Sequence, residues 1–368
     1  MKVLSITIHR PANCGSALQA FALDRYLSAL GYDTSIIDYV PNYLETEGSW
    51  IRNFVRKAIF YIPYKKRKKS FTEFIEHNCH LTTQQYVEYA DLEKNPPKAD
   101  VYIVGSDQLW NPCFNCGKDK AYYLSFVKHG IKMSYATSLG NDKMAEKDLK
   151  YVSANIKDFS YISVREECSV AQLQEQGIEN VKWVCDPTLL LKKADYNSLA
   201  QNYQHLGKYT AVYLVEHSDL LDAMLQKLHD ECGFKTVGVG GYLKKYKCDE
   251  HLMDAGPTEF LGLIRDAEFV LATSFHATVF SLIFHKNFAI IPPKINAARI
   301  EQLLQYLGLE KHIITRMDEM PHAFELIDYA QVEPKLDALR KESRDWLKST
   351  LKIIDNGGKR NDRTLERR

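Results

Sequence analysis

The sequence has no excess of either charge, with 48 Lys and Arg against 47 Asp and Glu over 368 residues. No global field therefore draws it to nucleic acid, and any anion site has to be built locally. No stretch approaches about 18 uninterrupted apolar residues, which excludes a membrane-spanning helix. The opening MKVLSITIHR has neither a charged n-region nor a long apolar h-region, so a cytoplasmic protein is expected. A second CxxC is also missing. Cys113-Phe114-Asn115-Cys116 stands alone, and the eight cysteines (14, 79, 113, 116, 168, 185, 232, 248) are scattered, which favours reduced thiols and leaves no metal-ligand cluster. There is no internal repeat and no low-complexity segment.

What is present is a globular composition, 45% hydrophobic and 26% charged, in a chain too long for one ordinary core. KVLSITI at 2–8 reads as a buried strand and SALQAFALDRYLSAL at 16–30 as a helix stopped by Gly31. Strand patterns recur at 34–39, 100–105, 131–136 and 159–164. After Pro187 and a polar run the alternation restarts with strands at 209–215, 234–240, 267–273 and 287–293, and helices at 219–232, 257–265 and from 275. This rhythm predicts an α/β fold of two Rossmann-like, doubly wound domains facing a cleft, residues 1–195 and 196–331. A C-terminal helix, 332–355, and a polar tail, 356–368, expected to be disordered, complete the chain.

Four segments at strand ends could carry chemistry. Asn13-Cys14-Gly15-Ser16 opens the first helix, where glycine permits close backbone approach and free amides favour an anion or a hydroxyl. The plain alternative is a turn with Asn13 or Ser16 as cap. Gly105-Ser106-Asp107-Gln108-Leu109-Trp110-Asn111 joins polar side chains to a tryptophan, the mixture a sugar site uses, or forms a polar loop over a buried Trp110. Arg165, ahead of Glu166 and Glu167, offers a fork for carboxylate or phosphate, or an internal ion pair. Thr273-Ser274-Phe275-His276-Ala277-Thr278 brings hydroxyls, helix-start amides and an imidazole to one point, although His276 could equally pack or cap.

Together with Ser134-Tyr135-Ala136-Thr137-Ser138-Leu139-Gly140 and Asp186-Pro187-Thr188, these segments resemble the polysaccharide pyruvyl transferase family, in the family's order, over residues 1 to about 310. The resemblance implies an architecture similar to B-type glycosyltransferases, phosphoenolpyruvate as donor and a glycan or undecaprenyl-linked oligosaccharide as acceptor. It places Arg165 on the donor and matches His276 to the histidine of the family's C-terminal motif; some members carry arginine where this chain has Ser274. On this reading His276 is the acid and Asp107 the base or acceptor orienter, and Arg165, Ser274 and Thr278 hold the donor. Asn13, Gly15, Ser16, Gln19, Ser106, Gln108, Trp110, Asn111 and Ser138 face the acceptor or the cleft. No cofactor or metal is required, phosphoenolpyruvate being a co-substrate. A sugar-nucleotide glycosyltransferase and a catalytically silent glycan-binding or scaffold protein are the alternatives. Residues 50–74, aromatic around Lys65-Lys66-Arg67-Lys68-Lys69, suggest peripheral contact with the inner face of the membrane, or else a core helix with a solvated basic face.

Overall fold

Strands such as VYIV at 101–104 and FVLA at 269–272 are buried at every residue, a pattern that only a sheet covered on both faces accepts. The computed structural model describes residues 1–10, 12–46, 61–216, 219–239, 248–294, 296–320 and 324–357. In its first domain β1 (Lys2–Ile6), β2 (Asp33–Tyr39), β3 (Leu81–Tyr86), β4 (Val101–Val104) and β5 (Ile131–Ser134) form a parallel sheet ordered β3-β2-β1-β4-β5. A short parallel pair, β6 (Ile162–Val164) and β7 (Val181–Trp183), continues beyond β5 through bridges from Met133 to Tyr161 and from Thr137 to Val164. The second domain repeats the design: β8 (Tyr209–Tyr213), β9 (Lys235–Val239), β10 (Glu250–Leu252), β11 (Phe269–Ala272) and β12 (Asn287–Ile290) lie in the order β10-β9-β8-β11-β12. The α/β reading with parallel sheets in two domains therefore holds. Periodicity alone does not reveal β3, β7 or β10: β3 is a polar strand at the sheet edge, and the other two are three residues each.

In both sheets the strand order reverses beside the first strand, between β1 and β4 and between β8 and β11. The crevices outside the carboxyl ends at these two points are where such sheets bind ligands. The first crevice is bordered by residues 7–10, 12–16 and 105–111, the second by 214–216 and 273–278.

One apolar core runs through both domains. Tyr196 stands between them, 6.4 Å from the Phe21 ring and edge-on to Phe280 at 4.9 Å, a geometry worth about 0.5–1.5 kcal/mol beyond burial. The last helix, Tyr329–Asp355, starts earlier than residue 332 because Asp328 accepts a hydrogen bond from the Ala330 amide. It returns to the first domain: the Cys185 amide donates to Ser343 Oγ at 2.8 Å, Arg344 Nε donates to the Leu190 carbonyl at 3.0 Å, and Trp346 lies 6.3 Å from Tyr135.

Part of the 50–74 segment, residues 50–60, lies outside the described residues, as does the tail from residue 358 on. The described remainder belongs to the helix Tyr61–Asn78, in which Phe71 and Phe74 are buried, Phe74 edge-on to Phe21 at 5.7 Å. Arg67 is buried too and donates to the Ala12 carbonyl at 2.9 Å. For these three residues the core reading replaces the membrane reading, because their side chains close the gap against the first helix; Lys65, Lys66, Lys68 and Lys69 are exposed. No helix among the described residues is long and apolar enough to cross a membrane.

Thiol reactivity tests this packing. Burial pushes the Cys14 thiol up to about 12 and the Cys185 thiol up to about 11, whereas Cys113 is exposed. Alkylation of the folded protein at mildly alkaline pH, followed by peptide mass spectrometry, is expected to label Cys113 early and Cys14 and Cys185 only on unfolding. Early labelling of Cys14 would contradict its enclosure beneath Gly256, whose carbonyl lies 3.9 Å from the sulfur.

Candidate active site between two helix starts

The helix Cys14–Ala29 of the first domain and the helix Phe275–Phe284 of the second point their amino ends at one another. Contact is so close that a Cβ on Gly15 would fall 2.0 Å from His276 Nδ1, so position 15 accepts only glycine while the imidazole stays where it is. Asn13 caps the first helix, accepting from the Ser16 amide at 3.2 Å, but Ser274 makes no side-chain cap on the second. The orphan amides and dipole of that second helix start therefore face the site uncapped by its own residue.

Asp186 is the hub. It ends the turn after β7, where the Thr188 amide and hydroxyl donate to its Oδ1 at 3.0 and 2.6 Å. Its Oδ2 accepts from Ser106 Oγ at 2.9 Å and from Arg165 Nη1 at 3.0 Å, and faces His276 Nε2 at 3.6 Å. Burial opposes the negative charge, but the charges of His276 and Arg165 and the Thr188 hydrogen bond outweigh it and hold the carboxyl far below the usual range.

Arg165 is anchored on several sides. Nη1 also donates to Ser106 Oγ at 3.2 Å, Nε lies 3.4 Å from Glu166 Oε1, and the guanidinium sits 4.7 Å from the centre of the Phe275 ring. Its side chain is only 2% exposed. The internal ion pair weighed from the sequence is thus realised: the residue is enclosed because two carboxylates neutralise it. Two nitrogens of the cluster, Arg165 Nη2 and His276 Nε2, are buried without a hydrogen-bond partner.

Asp107 adopts a positive φ of 87°, a backbone state that costs a non-glycine residue of the order of 1–3 kcal/mol. Its Oδ2 accepts from Ser16 Oγ at 2.6 Å and its Oδ1 from the Gln108 amide at 3.0 Å. Burial works against ionisation, yet the charges of Arg165 and His276, with the Ser16 hydrogen bond and the charge of Arg299, keep the carboxyl below its ordinary value.

The remaining sequence-selected residues divide. Ser106 and Ser16 join the cluster through Asp186 and Asp107. Ser138 Oγ donates to Glu166 Oε1 at 2.5 Å, so it acts through Glu166. Gln108 and Asn111 hydrogen-bond to each other at 2.9 Å, and Asn111 reaches Asn296 of the second domain at 3.4 Å. Gln19 is fully buried and donates to Thr7 Oγ1 and to the Ile8 and Ser16 carbonyls, which makes it a tie between the first helix and the residues just after β1 rather than a cleft group. Asn13 is exposed and engaged as a cap. Trp110 is 0% exposed, donates Nε1–H to the Tyr122 carbonyl at 3.0 Å and stacks at 6.4 Å on Tyr123. It is a core residue, and the expected aromatic sugar platform is not there. Thr278 Oγ1 donates to the Ser274 carbonyl at 3.0 Å inside the helix, so its hydroxyl is committed and leaves the anion to the helix amides. Asp186 and Arg299 were not singled out for the site. The Asp-Pro-Thr turn was a visible signal for the first, and nothing local marks the second. Among the described residues no group of three or more His, Cys, Asp or Glu side chains could hold a metal ion.

The family model for polysaccharide pyruvyl transferase matches residues 13–294, a span that takes in every residue of this cluster except Arg299. No curated protein matches the chain. Among solved structures it is similar to S. aureus MnaA with UDP (12% identity, TM-score 0.59, 96% of this chain and 98% of that one). It is also similar to the UDP-GlcNAc 2-epimerase of Methanocaldococcus jannaschii with UDP-GlcNAc and UDP (15%, 0.53, 96% and 100%), and to an alpha-glucosyltransferase in complex with UDP and a 13-mer DNA (9%, 0.50, 96% and 99%). At these identities the likeness concerns the fold alone, two Rossmann-like domains about a cleft.

Arg165→Ala leaves Asp186 and Glu166 buried without their counter-charge and is expected to lower the unfolding free energy by about 3–5 kcal/mol in a denaturant titration. An unchanged midpoint would show that the ion pair does not support the fold. Gly15→Ala forces the buried His276 ring away from its place beside Asp186 and is expected to lower the midpoint while moving the His276 imidazole resonances in an NMR spectrum. Unmoved resonances would contradict the contact.

Proposed function

This chain belongs to the polysaccharide pyruvyl transferase family, and on that footing we propose that it carries the pyruvyl group of phosphoenolpyruvate onto a sugar of a surface or capsular glycan. The product is a pyruvate ketal and phosphate is released. The observation that carries this reading is the pair of buried donors without a hydrogen-bond partner, Arg165 Nη2 and His276 Nε2, gathered around Asp186 at an uncapped helix start. A small substrate carrying both a carboxylate and a phosphate supplies what those donors lack.

In the proposed reaction His276 delivers a proton from Nε2 to the donor's methylene carbon, which leaves C2 cation-like. A sugar hydroxyl adds to C2, and Asp107, kept ionised by its surroundings, takes up the proton it sheds. The bond from C2 to the phosphate oxygen then breaks with its electron pair staying on phosphate. A second hydroxyl closes the ring on C2 and gives up its proton. Two hydroxyl protons are lost in all; one is balanced by the new methyl group and the other by the departing phosphate. The Asp186 charge, 3.6 Å from Nε2, favours the protonated imidazole, while Arg165 and the amides around Ser274 offset the charge developing on the leaving group. No nucleotide or redox cofactor enters this sequence.

An undecaprenyl-linked acceptor would draw the enzyme to an anionic leaflet, and the exposed Lys65, Lys66, Lys68 and Lys69 are the groups able to meet it. Sedimentation with anionic vesicles is then expected to fall when these four are changed to Gln; undiminished sedimentation would dismiss the contact.

The reading is tested by incubating the protein with phosphoenolpyruvate and a panel of lipid-linked and synthetic glycosides, following phosphate release and a product mass gain of one pyruvate ketal. His276→Gln, which keeps a hydrogen bond but carries no transferable proton at neutral pH, is expected to slow turnover by about 100-fold or more. Near-native turnover of that variant would remove His276 as the acid. Turnover with nucleotide sugars and none with phosphoenolpyruvate would replace the reaction itself.

A further inference from the structure

Arg299 stands in the first turn of the helix Ala298–Leu307, outside every motif. Its guanidinium lies 5.7 Å from the centre of the Phe275 ring, the same ring that Arg165 meets at 4.7 Å. Burial, and then the neighbouring charge of Arg165, pushes the Arg299 pKa down to about 10. The carboxylates of the cluster are engaged elsewhere. Asp186 is held by Thr188, Ser106 and Arg165, and Glu166 by Ser138, Ser169, the Leu139 amide and Arg165; Asp107 is held by Ser16 and the Gln108 amide. Among the described residues no carboxylate lies within ion-pair distance of Arg299, and its Nε is buried without a hydrogen-bond partner. Arg299 is half-buried, and a guanidinium drawn partly out of water beside a second one carries both a desolvation and a repulsion cost. Both arginines line one narrow crevice with Asp186, Trp183, Phe275 and Gln302.

We propose that Arg299 is an anion-binding residue of this site, its fork taking the phosphate of the bound substrate. Arg165 is already committed to Asp186 and Glu166 and offers that substrate only Nη2. With phosphoenolpyruvate as the phosphate's source the inference rests on the function proposed above. Phosphate chemistry could also arrive as a nucleoside diphosphate, and the two sources are separable.

Calorimetry with phosphoenolpyruvate, inorganic phosphate and UDP is applied to the native protein, Arg299→Gln and Arg299→Lys. Arg299→Gln is expected to weaken phosphoenolpyruvate binding by about 10- to 100-fold, the loss of a charged, forked hydrogen-bond partner. Arg299→Lys is expected to restore part of it as a point charge. Thermal midpoints should hold in both variants, because among the described residues no carboxylate pairs with Arg299 and would be left without its counter-charge. A lowered midpoint with native affinity would assign Arg299 to structure and overturn the proposal. Native phosphoenolpyruvate affinity in a stable Arg299→Gln variant would also overturn it, and leaves the donor reading standing. If the native protein binds UDP but not phosphoenolpyruvate, and Arg299→Gln loses UDP, the anion site stands and the donor reading falls. A native protein that binds none of the three would overturn the site.

Discussion

One buried carboxylate organises this molecule. Asp186 has no water to ionise into, so its charge depends on what converges on it: Arg165 and Ser106 from the first domain, Thr188 from its own turn, and His276 from the second domain. Removing any charged partner leaves a buried ion exposed to its full desolvation penalty. The same contacts that support the fold at the interdomain seam therefore aim the two donors that lack a hydrogen-bond partner, and structural and chemical demands on Arg165 cannot be separated by inspecting its sequence neighbours.

Close approach of two helix starts is the second constraint. Their positive ends repel, and only the absence of a side chain at Gly15 lets His276 come within contact of the opposite helix. Such an arrangement is held by apolar packing farther along the same helices, through Phe21, Tyr196 and Phe280, and by the last helix tying the second domain back to the first. An anion at the seam would relieve the repulsion that the packing opposes. The carboxylates of the cluster are consumed by their own hydrogen bonds, and among the described residues none lies within ion-pair distance of Arg299.

Residues that looked interchangeable as polar cleft groups turn out to differ by what lies behind them. Trp110 follows a strand end, as a sugar-stacking residue would, but the segment after it folds back so that Tyr122 and Tyr123 enclose its ring. Gln19 sits one turn from Ser16 on the same helix, yet it points at the residues just after β1 and satisfies Thr7. Ser16 alone reaches across to Asp107.

Periodicity and punctuation in the sequence determined the alternation of strands and helices, the two doubly wound domains and the strand ends at which chemistry could gather, because burial on both sheet faces demands continuous apolar strands and the helices between them show their own apolar spacing. Polar edge strands such as β3 and three-residue strands such as β10 carry too little apolar pattern to be seen. Which side chains meet was decided by tertiary structure alone. Asp186, Arg165 and His276 are far apart in the chain and belong to different layers, and Arg299 lies in no motif. Burial, which separates a clamp from an ion pair and a platform from a core ring, is a property of the surrounding fold and not of the residue.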